Sequence, residues 1–255
     1  MDELTFETFS WNADKLTLQN GLVCLANLLD IGDSEIRISG DRPEDDMSFE
    51  IDRFSSGEWQ QAYGKFGRLF CEFRSGFFGV SREGEFEHLS VVLKQCLLDE
   101  DVLRNLFATV SGAIEADFSF MYGENAGSGK YFDIGYAAND SDLSIAAGLR
   151  DVYWLNFYGA SFVEAIGTDT LGELTVYEMS RLNNGVLVRT TERIEDAYDL
   201  RNVIRNQIGL DCFVPKSTPV PSRDVVGVVG LVRQMLALAN SPKERDIATI
   251  RPKFD

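Results

Sequence analysis

Runs of apolar residues at a period of two come in neighbouring pairs along this chain, and that pairing constrains the fold more than any other feature. Ile36 and Ile38 alternate with polar residues and are followed by Phe49 and Ile51. Leu69, Cys71 and Phe73 are followed, past Gly76, by Phe77, Phe78 and Val80. Val176 to Leu182 is followed by Val186 to Thr190, with Asn183-Asn184-Gly185 between them. Period-two alternation is the signature of a half-buried strand. The Asn-Gly step predicts a tight type I′ hairpin, whose central residues need positive φ.

Helical spacing appears between these pairs. Val102, Leu103, Leu106, Phe107, Val110 and Ile114 form the clearest amphipathic helix, and Phe118, Phe120 and Tyr122 then read as a strand. Residues 59–66, Ile145 to Tyr153 and Phe162 to Ile166 are also predicted helical. Leu200, Val203, Ile204 and Ile208 form another amphipathic helix, stopped by Gly209 and followed by a short strand Asp211–Val214. A last helix, Asp224 to about Asn240, follows a Pro-rich stretch.

Strands and helices are interleaved without regular β-α-β alternation. The expectation is an α+β fold, with mixed or antiparallel sheets and packed helices. Residues 68–122 and 174–214 share an order of paired strands, a helix and a strand, which outlines two related halves. The domain reading is a body over 1–214, a Pro-rich connection at 215–223, and a C-terminal helix and tail over 224–255 packed on the body.

Charge narrows the partners. The 255 residues hold 41 Asp plus Glu against 24 Lys plus Arg, a formal net charge of -17. Neutralisation of phosphates by Lys and Arg supplies most nucleic-acid affinity, so neither nucleic acid nor an anionic membrane surface is an expected partner. A basic protein is. Acids are densest in the first 52 residues, 13 against 3 bases, and above all at Asp41, Glu44, Asp45 and Asp46. That cluster reads first as a solvated turn around Pro43, and more sharply as part of a partner-binding surface.

The acidic N-terminus lacks the basic and apolar regions of a secretory signal. The longest apolar stretch, Val225 to Ala239, is interrupted by Arg233 and falls short of the ~20 residues that span a bilayer. Cys24, Cys71, Cys96 and Cys212 are scattered and read as buried, reduced thiols. Together these predict a cytoplasmic protein.

Several chemistries are excluded. His88 is the single histidine, so the His and Cys groupings of zinc sites are missing. Glu85-Phe86-Glu87-His88 contains a Glu-x-x-His pair, but a di-iron bundle needs two. His88 therefore reads as a structural or solvated residue, not a general base. Gly123 to Lys130 resembles a phosphate loop but has Glu124 where the motif needs Gly, and Tyr131 where it needs Ser or Thr. Gly227 and Gly230 form no dinucleotide fingerprint. No catalytic residue, cofactor or metal is expected.

One segment resembles a known group. Trp154-Leu155-Asn156-Phe157-Tyr158-Gly159, then Phe162-Val163-Glu164-Ala165-Ile166-Gly167, then Asn183-Asn184-Gly185-Val186-Leu187-Val188 resemble bacterial toxin-immunity proteins. The likeness is to the immunity protein 52 family and related type VI secretion immunity proteins, over residues 150–190. The resemblance implies a non-enzymatic protein that binds and neutralises one cognate toxin, often a nuclease, and the acidic balance of the chain suits a basic nuclease-type effector. Read as packing, Trp154 and Phe157 are core, Asn156 caps the following turn, and Gly159 and Gly167 bound a short helix. The alternatives are a metal-dependent or carboxylate-pair hydrolase, and a non-catalytic subunit of a larger assembly. Oligomeric state stays open.

Overall fold

The computed structural model describes residues 3–11, 21, 24, 35–38, 47–50, 68–73, 76–83, 86–94, 98–124, 149 and 151–213. Ten strands form one sheet: β1 (Glu3–Ser10), β2 (Glu35–Ile38), β3 (Met47–Glu50), β4 (Arg68–Phe73), β5 (Gly76–Glu83), β6 (Phe86–Lys94), β7 (Phe118–Glu124), β8 (Leu155–Gly159), β9 (Glu178–Leu182) and β10 (Gly185–Arg189). Their order is β3-β2-β4-β5-β6-β1-β7-β8-β10-β9. Every ladder is antiparallel. Among the described elements the helices beside the sheet are α1 (Glu100–Ala113), α2 (Ala160–Ile166), α3 (Thr168–Gly172) and α4 (Ala197–Ile208). The fold is α+β.

Each predicted strand pair is present. Ile36 stands opposite Phe49, Cys71 opposite Phe78, and Val186 opposite Arg181. Two strands outside the predicted pairs, β6 and β1, occupy the middle. β1 lies between β6 and β7, with Leu4 and Phe6 on one face and Phe9 on the other. Leu4 and Phe6 alternate with Thr5 and Glu7, but the run is short and changes phase at Thr8-Phe9, so that both faces carry an aromatic ring.

Two crossovers organise the helices. β6 and β7 both pair antiparallel to β1, so they run parallel, and α1 carries the chain across β1 between them. β8 and β9 are likewise parallel about β10, linked by α2 and α3. The second crossover starts in the opposite strand direction but moves the same way along the sheet. A common hand, the rule for such connections, then requires helices on opposite faces. The core divides accordingly. Leu103, Leu106, Phe107 and Val110 of α1 pack with Leu4, Phe6, Val91 and Met121, while Phe162, Ile166, Leu171, Ile204 and Ile208 pack with Phe9, Phe118, Phe120 and Tyr158. Each fully buried Leu or Phe contributes about 1.5–3 kcal/mol. The recurring units, 86–124 and 155–182, are offset from the halves 68–122 and 174–214.

α1 starts at Asp99, whose Oδ1 accepts from the Asp101 N–H at 2.8 Å. Its apolar stripe begins at Leu103, since Val102 is exposed. Ile145 to Tyr153 was predicted helical, yet Leu149 forms an isolated parallel bridge with Phe213 and residues 151–153 are not helical. Val152, Tyr153 and Trp154 are all buried, and such a run reads equally as helix or strand. Asn156 does not cap the following turn. Its side chain reaches back, Nδ2 donating to the Tyr153 carbonyl at 2.9 Å and Oδ1 accepting from the Tyr153 N–H at 3.1 Å. The predicted strand at 211–214 is a 3-10 turn, Leu210–Cys212, followed by the single bridge at Phe213. The helices predicted at 59–66 and 224–240, the connection at 215–223, the tail, and the loop residues 125–130 lie outside the described residues.

The 178–189 hairpin departs from its predicted turn. Among the described residues positive φ occurs at Glu115, Gly167 and Gly209, and not at Asn183, Asn184 or Gly185. Gly185 is needed for space instead. A Cβ there would lie 2.2 Å from the Tyr158 carbonyl oxygen and 2.7 Å from the Phe157 ring. Gly185→Ala and Gly185→Asn are therefore expected to destabilise alike, by roughly 1–3 kcal/mol, since overpacking and not φ is at fault. Asn tolerates the left-handed region, so urea midpoints showing Asn near wild type and Ala well below would revive the I′ turn.

Candidate functional site

Asp41, Glu44, Asp45 and Asp46 fall between β2 and β3, outside the described residues, as do Gly227 and Gly230. His88 and Glu87 can be placed. His88 sits on β6, buried, with its ring stacked on Phe9 at 4.5 Å between centroids and 3° between planes. Its Nε2 is 2.5 Å from Glu7 Oε2, and Ser90 Oγ donates to Glu7 Oε1 at 3.0 Å. The carboxylate stands between hydroxyl and imidazole. These contacts tie β1 to β6. His88 is thus buried and not solvated.

Three further polar clusters were invisible in sequence because their members are far apart along the chain. Asp151 is buried beside α4, accepting from Arg205 Nη1 at 3.1 Å with Arg201 Nε at 3.9 Å. Arg205 also lies 4.2 Å over the Phe213 ring. Arg189, on β10, is buried between Trp154 and Tyr177, 5.3 Å and 4.9 Å from their ring centroids. Its Nη1 donates to Asp101 Oδ1 at 2.7 Å and its Nη2 to the Glu192 carbonyl at 2.6 Å. Arg104 of α1 pairs with Glu178 of β9 and donates from Nη2 to Ser180 Oγ at 2.9 Å. Arg104 and Arg189 together pin the start of α1 to the terminal hairpin.

Two carboxyls are shifted in opposite directions. The Arg104 guanidinium, helped by Ser180, holds Glu178 below the usual glutamate range against partial burial. Burial pushes Asp117 up, opposed by the Trp11 N–H that donates to its Oδ2 at 2.7 Å. A depressed folded-state value adds stability above the unfolded value, lost as pH falls through the folded one. A raised value means the folded state binds the proton more tightly, so stability drops as pH rises through the window. At pH 7, Asp117→Asn, which keeps an acceptor for Trp11, is expected to raise the melting temperature and Glu178→Gln to lower it. Both differences should shrink towards pH 3. Thermal unfolding at the two pH values checks this, and an Asp117→Asn protein less stable at pH 7 would contradict it.

Cys24 and Cys212 are free and partly exposed, unlike the buried thiols expected. Burial, then the neighbouring Asp211, raises the Cys212 thiol above its ordinary value. Among the described residues no three His, Cys, Asp or Glu side chains are grouped to hold a metal ion. Among the same residues no helix is long and apolar enough to cross a membrane.

The chain matches no protein-family model and no curated protein. Its fold does match a solved structure, the Pseudomonas aeruginosa T6SS protein PA0821, with a TM-score of 0.56 at 9% identity, over 83% of this chain and 77% of that one. At that identity the likeness is one of fold.

Proposed function

We propose that this chain is an immunity protein of a type VI secretion system, which binds a cognate toxin stoichiometrically and neutralises it without catalysis. The observation that carries the reading is the fold shared with a T6SS protein over most of the chain. The immunity-like segment supports it, because its residues Leu155 to Gly159 and Gly185 to Val188 belong to the β8–β10 pair near one end of the sheet. A net charge of -17 favours a basic toxin, nuclease-type effectors included, since complementary charge speeds capture of an oppositely charged partner.

The test has two stages. The immobilised chain is exposed to lysate of the source cells and eluted by a salt gradient. One basic protein is expected at equal stoichiometry, leaving as salt rises. That protein is then expressed in a heterologous host, where it should arrest growth alone and spare it when this chain is co-expressed. A captured protein that harms no host, or whose toxicity this chain does not relieve, would overturn the proposal.

A further inference from the structure

β9 ends the ten-strand sheet among the described residues, so one side of its backbone has no described ladder partner. Unpaired edges template the addition of another strand, and proteins usually blunt them with charge or cover. Here the strand carries a single acid and a single base, Glu178 and Arg181, beside apolar side chains at and just before it that stand exposed. Tyr177 is 54% exposed and Met179 36%, two of only six large apolar residues standing exposed among those described.

From these observations we infer that β9 pairs antiparallel with β9 of a second copy about a two-fold axis at Met179, joining two sheets into one. A two-fold axis perpendicular to the sheet keeps each face intact, so partners must share parity. Centring on Met179 sets it against its own copy. Tyr177 then faces Arg181 of the second copy, a cation-over-ring contact, and Glu178 faces Ser180. No like charges meet. The strand itself, Glu178-Met179-Ser180-Arg181-Leu182, carries one acid and one base within a chain of net charge -17. The edge is thus a locally neutral strip on an acidic molecule, suited to a second copy and poorly suited to a basic protein.

Electrostatics gives the pairing a signature. Two copies at -17 repel through the rest of their surfaces, and salt screens that repulsion beyond about 8 Å at physiological strength. Dimerisation should therefore strengthen as salt rises, opposite to capture of a basic toxin. The two readings can fail separately.

The experiment is sedimentation of the full chain across protein concentration at low and high sodium chloride. A monomer–dimer equilibrium is expected, shifted to dimer by salt. Met179→Lys, which faces two ammonium groups across the axis, is expected to weaken association at least tenfold. The position is exposed, so melting should be unchanged. Met179→Cys under mild oxidation is expected to yield a covalent dimer linked 179 to 179 by peptide mass mapping, absent in the wild type with its own cysteines. A monomer at every concentration and salt, a dimer untouched by Met179→Lys, or a dimer that dissociates as salt rises would overturn the inference.

Discussion

Trp154→Ala is expected to destabilise the protein by about 3–5 kcal/mol, the range for removing a large aromatic from a packed interior. The residue is fully buried, and its Nε1 donates to the Thr191 carbonyl at 3.0 Å. Its own carbonyl accepts from Thr190 N–H at 2.9 Å and from Thr190 Oγ1 at 3.1 Å, so side chain and backbone both hold the segment leaving β10. Arg189 would lose one of the two rings between which it lies, and with it part of the alignment towards Asp101. Trp154→Phe keeps most of the apolar contact and loses the hydrogen bond, for roughly 1–2 kcal/mol. Urea unfolding followed by circular dichroism measures both, at unchanged denaturant slope. A Trp154→Ala loss below 1 kcal/mol would mean that Trp154 does not anchor this part of the core, on the same scale.

That anchoring role was legible from sequence, and the reason shows what else was. The hairpins β2–β3, β4–β5 and β9–β10 were readable because their partners are close along the chain and their apolar residues recur at a period of two. α1 was readable because its stripe, Leu103 to Ile114, sits on one covered face. β1 and β6 were not. Glu7 occupies a buried position on β1, and its partners His88 and Ser90 stand 81 and 83 residues away. A lone glutamate among Thr5, Phe6 and Thr8 says nothing of that. Gly185 was recognised as necessary for the wrong reason, because crowding by Tyr158 and Phe157 of β8 exists only once the sheet is assembled. The Arg189 cluster gathers Asp101, Trp154, Tyr177 and Glu192 by tertiary packing alone. The acidic stretch at 41–46 was conspicuous as charge, which marks solvation as readily as binding.

The Glu7–His88 contact gives the second large expected effect. Either group alone, buried without the other, leaves a polar or charged group in the sheet interior, and breaking such a pair from one side costs about 3–5 kcal/mol. His88→Phe keeps a ring over Phe9 but strands the Glu7 carboxylate, retaining only Ser90 as a described donor. Glu7→Leu leaves the imidazole and the Ser90 hydroxyl facing an aliphatic side chain. The double variant removes both polar groups and fills their space with apolar atoms, which is often close to neutral. Both single variants should therefore lose several kcal/mol while the double loses much less than their sum, a coupling of about 1–3 kcal/mol or more in a double-mutant cycle of urea midpoints. Additive losses would show that the two side chains, though in contact at 2.5 Å, contribute independently. In that case the central β1–β6 pairing would rest on its ladder and on Leu4, Phe6, Leu89 and Val91 alone.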